Sequence, residues 1–252
     1  MNINKQKGFT LVEIAIVLVI IGLLLGGILK GQELINSARV RNLADQNSGT
    51  QAAYYGFIDR YRQVPGDWQI ANAGQAIGQA IINGGDGDGT LENTFAEATG
   101  AWEQLARANY LSGGFSLPTA VPTTEAGYGL VAPVNAFNAP LILSRNAGYT
   151  GAGGARLNLH MGRNVPVSIA RELDIKIDDG LPNTGVLRLT NIDTGGVNTF
   201  DTTNFAPQFA NCSTPAASVA AANPVGTGDV AGATDIYDTY DDSQDCGQVF
   251  LY

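Results

Sequence analysis

Residues 7–24, KGFTLVEIAIVLVIIGLL, decide how the rest of the chain is read. Lys5 and Lys7 precede Gly8, and from Phe9 to Leu29 the sequence is apolar except for Thr10, Glu13 and glycines. At about 1.5 Å per residue this run makes about 31 Å of helix, close to the hydrocarbon thickness of a bilayer. Basic charge ahead of the run holds the N-terminus on the cytoplasmic side. A secretory signal or a single-pass anchor is the plainer reading. Two features oppose it. No small-residue cleavage site follows in GGILKGQELI (residues 26–35), and Glu13 lies inside the run. A carboxylate there is costly unless it is neutralised or paired.

Working outward, no proline occurs before Pro65, and helix-compatible residues continue to Gln63. The pattern predicts one helix from Phe9 to about Tyr61, about 80 Å long and so longer than a membrane span. Beyond Lys30 the apolar positions thin to a stripe of Leu34, Ile35, Ala38, Leu43, Ala52, Ala53, Phe57 and Ile58, an amphipathic half with one face for a domain. Gly22, Gly26, Gly27 and Gly31 give small-xxx-small spacings that permit close helix approach. Each also lowers helix propensity by about 1 kcal/mol.

Pro65-Gly66-Asp67 stops the helix in a turn. Residues 68–82 and 94–111 read as shorter helices, with Trp102, Leu105, Ala106 and Tyr110 spaced for burial, and loops dominate 112–155. Leu141–Leu143, Arg156–His160, Val186–Thr190 and the terminal VFLY are strand candidates, and IARELD (169–174) is a short helix. The expected fold is α+β: a long N-terminal helix, anchor first and amphipathic after, packed on a small antiparallel sheet with extra short helices and long loops.

Composition narrows the function. Of 252 residues only 15% are charged, against roughly 25% in soluble domains, and the net charge is −9. A basic nucleic-acid-coating body is excluded, so no specific nucleic acid is expected as a partner. No Lys or Arg follows Arg188, while eight aspartates do, which reads as a solvated acidic face. The single histidine, His160, sits in the alternating LNLHMG stretch and reads as structural. No Walker A lysine motif, GxGxxG before a helix or GxSxG elbow is present. Asp178 and Asp179, adjacent on a strand or turn, are expected to diverge. Nothing assembles an active site, and the chain is read as no enzyme.

KGFTLVEIAIVLVIIGLL resembles the start of type IV pilins and pseudopilins. The resemblance implies a leader, Met1 to Gly8, cut between Gly8 and Phe9 by a prepilin peptidase on the cytoplasmic side. It also implies N-methylation of Phe9 and a role for Glu13 as the fifth mature residue. Gly8, Phe9, Thr10, Leu11, Val12 and Glu13 match the family motif without a gap. Physically, a carboxylate is tolerated in an apolar bundle when it meets a positive partner, here the Phe9 amine of a neighbouring copy, and that pairing sets the stagger of adjacent helices. The expected divisions are leader 1–8, transmembrane and filament-core helix 9–29, amphipathic continuation 30–62, and head 63–252. Two further stretches, AAYYGFIDRYRQVPGD (52–67) and ELDIKIDDGLPNTGVLR (172–188), resemble recurring segments of large bacterial prepilin-like proteins. Proline and glycine set turns in them, and Ile175 and Ile177 are expected to alternate into the core.

Cys212 and Cys246 lie in the exported part, where an even pair is expected to bridge. Closing that loop stabilises by about 4 kcal/mol on the chain-entropy model. Its placement also resembles the C-terminal disulfide region of many type IV pilins. In NGGDGDGTLE (83–92) acidic oxygens alternate with glycines, as in calcium loops, but the EF-hand spacing fails. An acidic turn without metal is the favoured reading, and calcium on Asp86, Asp88 and Glu92 the alternative; no other cofactor is expected.

The function expected is a structural subunit of an extracellular type IV pilus-like filament on the bacterial surface, reached from an inner-membrane precursor. Its partners are copies of itself in a helical filament, the prepilin peptidase and methyltransferase, and inner-membrane assembly machinery. The alternative is a minor pilin or type II secretion pseudopilin, with an adhesive surface as a further role.

Overall fold

The structure is a computed structural model and describes residues 11–115, 129–151, 153–190, 212–215, 235–239 and 246–252. The first element is helix α1, Leu11–Tyr61. The chain divides into two compact units, Met1–Arg39 and Val40–Tyr252.

In the first unit the large apolar side chains are exposed, from Leu11 at 90% to Leu29 at 61%. The expected stripe fails here: Leu34 and Ile35 are 62% and 55% exposed, and Ala38 is exposed too. Burial in α1 starts at Val40 and continues through Leu43, Thr50, Ala53, Tyr54 and Phe57. That spacing alternates near three and four residues, so one face stays turned to the core. Ala52 falls off this face and is exposed.

Helix α1 ends where Arg62 adopts φ 56° and its N–H reaches the Ile58 carbonyl at 2.8 Å. Gly66 then takes φ 93°, a position where a Cβ would collide with the Glu97 carbonyl. Helices α2 (Ile70–Ile77) and α3 (Phe95–Arg107) follow, each within the stretch the sequence predicts. Thr94 caps α3 by accepting the Glu97 N–H at 3.3 Å. Trp102 and Leu105 are fully buried, with Ala106 and Tyr110 partly so. A further helix, α4, spans Val167–Ile177. It runs through DIKI, so Ile175 and Ile177 are not alternating strand residues turned into the core. They stand 53% and 37% exposed, because helical periodicity puts Ile169, Ala170, Leu173 and Asp174 on the buried face instead.

Strands β1 (Ile142–Asn146), β2 (Arg156–His160), β3 (Leu187–Leu189) and β6 (Gln248–Leu251) form one antiparallel sheet in the order β1-β2-β6-β3. Strands β4 (Ser213–Pro215) and β5 (Asp235–Tyr237) pair separately, and the sequence reading missed both. On one face of the main sheet Leu143, Leu159, Leu187, Leu189 and Phe250 join Val40, Leu43, Phe57, Trp102 and Leu105 in the core. The fold is α+β, as expected: the buried stretch of the long helix packs in one core with a small antiparallel sheet.

Candidate functional site

The N-terminal segment presents Glu13 in the first turn of α1, exposed among exposed apolar side chains. Gly8 and Phe9 lie outside the described residues. Helix α1 is long and apolar enough to cross a membrane, and the apolar window is not buried in the chain itself. A Cβ added at Gly22, Gly26, Gly27 or Gly31 would meet nothing within 4 Å. These glycines leave shallow places along the helix where another helix axis can come near. Just beyond the apolar run, Lys30 and Glu33 pair at 2.7 Å on the exposed surface.

The acidic loop at 83–92 is organised from outside itself. Asp67, 1% exposed, accepts the N–H groups of Gly87 (2.9 Å) and Asp88 (3.2 Å) on Oδ1, and of Gly89 (2.8 Å) on Oδ2. Glu103 accepts from Ile82 and Asn83 at 3.0 and 2.9 Å on Oε2, and Glu97 accepts from Glu92 at 2.6 Å. Burial holds the Glu97 carboxyl at about 7, with Glu92, Asp67 and Asp86 adding repulsion against the Glu92 N–H that opposes them.

One carboxylate oxygen each of Asp67, Asp86 and Asp88 lies within 4.8 Å of the others, and Glu92 does not belong to this group. Calcium takes six to eight oxygens. Here Asp67 turns both oxygens to backbone N–H groups, while Asp86 and Asp88 each accept an N–H two residues on. The loop's shape is accounted for by these carboxylate-to-amide bonds. The 83–92 sequence alone hides this because Asp67, Glu97 and Glu103 come from elsewhere. The signals that point to them are Pro65-Gly66-Asp67 and the Thr94-x-x-Glu97 capping pattern.

A second turn is built the same way. Asp174 is fully buried on α4 and accepts from Tyr237 Oη at 2.7 Å and the Gly180 N–H at 3.1 Å. Burial raises its carboxyl to about 6; those two hydrogen bonds oppose the shift, and Asp179 and Asp178 add to it. Contrary to the expected divergence, Asp178 and Asp179 each bring an oxygen within 4.8 Å of Asp174, because the chain turns sharply through Gly180. Asp178 accepts from Val186 and Leu187, and Asp179 from Leu181 and Thr184.

The bridge between Cys212 and Cys246 is formed, with Cα atoms 5.9 Å apart and both residues fully buried. Asp238 N–H donates to the Cys212 carbonyl at 3.0 Å, and Cys246 N–H to Val165 at 2.9 Å. The disulfide thus joins the β4–β5 pair to the start of α4, and Tyr237 ties β5 to Asp174. His160, 2% exposed, lies in a polar layer where Asn146 reaches Ser144 Oγ at 2.8 Å and Asn158 Oδ1 at 3.1 Å. Asn146 also lies 3.1 Å from His160 Nε2. Burial drives the imidazole down to about 3, so it stays neutral near pH 7.

Residues 3–29 match the family model described as the prokaryotic N-terminal methylation motif. No curated protein and no solved structure matches the chain. The matched stretch takes in Gly8, Phe9, Glu13 and the exposed apolar run, and a motif of this kind is typical of type IV prepilins and pseudopilins.

Proposed function

We propose that the chain is the structural subunit of an extracellular type IV pilus-like filament. A prepilin peptidase cuts between Gly8 and Phe9, and Phe9 is N-methylated. The 9–29 segment holds the subunit in the inner membrane until α1 copies bundle into the filament core. Glu13 pairs with the Phe9 amine of the adjoining copy. The observation that carries this reading is the exposed apolar surface from Leu11 to Leu29 inside the matched motif. Fourteen large apolar side chains there are 48% to 90% exposed, a surface that needs lipid or other helices to cover it. A pseudopilin or minor pilin uses the same segment, and abundance separates them: a major subunit dominates sheared filaments.

The test is N-terminal sequencing and intact mass of subunits from sheared surface filaments. A chain starting at Phe9, heavier by one methyl group and lighter by two hydrogens for the bridge, supports the reading. A retained leader, or material confined to the inner membrane, overturns it.

A further inference from the structure

From Val40 onward α1 turns one side to the core, with Val40, Leu43, Tyr54 and Phe57 buried, and leaves the other side open. On the open side Arg41, Asp45, Ser48, Ala52 and Tyr55 follow in steps of four and three residues, and all are exposed. Asp59 and Arg62, the latter just past the helix end, continue the series and are exposed too. A Cβ added at Gly49, beside Ser48, would meet nothing within 4 Å. The middle of this face is therefore low enough for a second helix to lie close. Its charges are not all used within the chain. Lys30 and Glu33 pair at 2.7 Å, and Asp59 and Arg62 at 3.4 Å. Among the described residues, neither Arg41 nor Asp45 forms an ion pair. A base four residues ahead of an acid is the poorer order for a bond inside one helix.

Copies anchored in one membrane with their basic ends on the same side lie parallel. Two parallel helices set level bring Arg41 against Arg41 and Asp45 against Asp45, and both contacts repel. Sliding one copy by four residues, about 6 Å, brings its Asp45 level with Arg41 of the other. The same slide leaves its Arg62 about 1.5 Å from level with the other's Asp59, since that pair is three residues apart. Glu13 also lies four residues beyond Phe9, so the pairing proposed there needs the same slide in the same direction. Resting on the filament reading above, we propose that Arg41 of one copy pairs with Asp45 of its neighbour, making the open face of α1 a second lock on a parallel stagger of about one helical turn. A methylation motif of this kind implies assembly into pilus-like filaments, which makes a second copy the occupant of that face. The contact is heterologous: one copy gives Arg41 and the other Asp45, leaving the first copy's Asp45 and the second copy's Arg41 for further copies. Contacts of that kind do not close on two copies, and they build filaments where the rotation closes no ring.

The test is cross-linking in sheared filaments from cells carrying two forms of the full chain, Arg41→Cys and Asp45→Cys, against cells carrying either form alone. The native cysteines are bridged and fully buried, which keeps them out of the reaction. A disulfide needs Cα atoms within about 7 Å, so mild oxidation gives dimer from the mixture and at least about fivefold less from either form alone. Filament yield supplies a second readout. Arg41→Asp cuts it at least about tenfold, because every contact then sets like charges together. Cells carrying one Arg41→Asp chain and one Asp45→Arg chain regain the yield, which a bond inside a single helix does not achieve. Where a cysteine form makes no filaments, this charge pair decides. A mixture that gives no dimer, or no more than the single forms, overturns the proposal, as does a charge pair that fails to regain the yield. Wild-type filaments with subunits starting at Phe9 leave the filament reading standing in that case; wild-type cells without filaments remove both.

Discussion

The two stretches of α1 use apolar residues in opposite ways. From Leu11 to Leu29 they are mostly more than half exposed, whereas Val40, Leu43 and Phe57 are at most 1% exposed. The helix is one element by hydrogen bonding, yet the solvent for its side chains changes along it. In the first stretch none of the described residues buries them; in the second the cover comes from α3 and the sheet. Amphipathic pattern alone does not tell these apart, because a helix apolar all round needs a different partner from one with a single apolar face.

Several measurements break or sharpen that contrast. The largest effect is on assembly: Glu13→Ala removes filaments from the surface while leaving the subunit membrane-inserted. Quantifying sheared filaments against membrane-bound precursor checks it, and a normal filament yield contradicts the role given to Glu13. Within the second stretch, Phe57→Ala costs about 3–5 kcal/mol in head stability, since Phe57 is fully buried beside Tyr61, Trp68 and Tyr110. Ile20→Ala, in the first stretch, shifts it by less than about 0.5 kcal/mol. Equal losses on denaturant melting would erase the contrast. Replacing Cys212 and Cys246 together by Ser lowers stability by about 2–4 kcal/mol, read from the same melts.

Smaller effects concern the carboxylate-held turns. The folded pKa of Glu97, about 7, lies above its ordinary value of 4.5. Its contribution is therefore full below pH 4.5 and is lost as pH rises through about 7. Asp174 acts in the same sense up to about 6, and His160, lowered to about 3, acts in the opposite sense as pH falls below 6.5. In Glu97→Gln, the Tm deficit relative to wild type widens by about 2–4 °C between pH 7.5 and 5. A constant difference across that range would contradict the burial argument. Least of all, calcium against chelator moves the Tm by less than about 1 °C, since the 83–92 loop takes its shape from amide donors. A rise of several degrees would support the calcium reading of Asp86 and Asp88.

The two stretches that resemble recurring prepilin-like segments now have physical roles. Asp67 closes the first by gathering three loop amides, and Asp174 with Asp178 closes the second against β5 and β3. Sequence reading saw turns there through proline and glycine, but assigned Ile175 and Ile177 to the core and Asp178 and Asp179 to divergent directions. Both errors have one cause. Helix α4 runs farther than IARELD, so the period changes from two to 3.6 and the carboxylates meet where the helix ends.

The N-terminal motif, the long helix, strand β2 to the residue, and the pairing of the only two cysteines were all decided by the sequence itself. Each depends on local spacing, on an unbroken apolar run, or on a count that leaves one partner. Tertiary structure alone decided which apolar residues of α1 are buried, which carboxylates organise the acidic loop, and how Asp174 is tied to β5. Those outcomes join groups as far apart in sequence as Asp174 and Tyr237. No local pattern encodes such a meeting, because its free energy comes from desolvation and donor supply that exist only once the chain has packed.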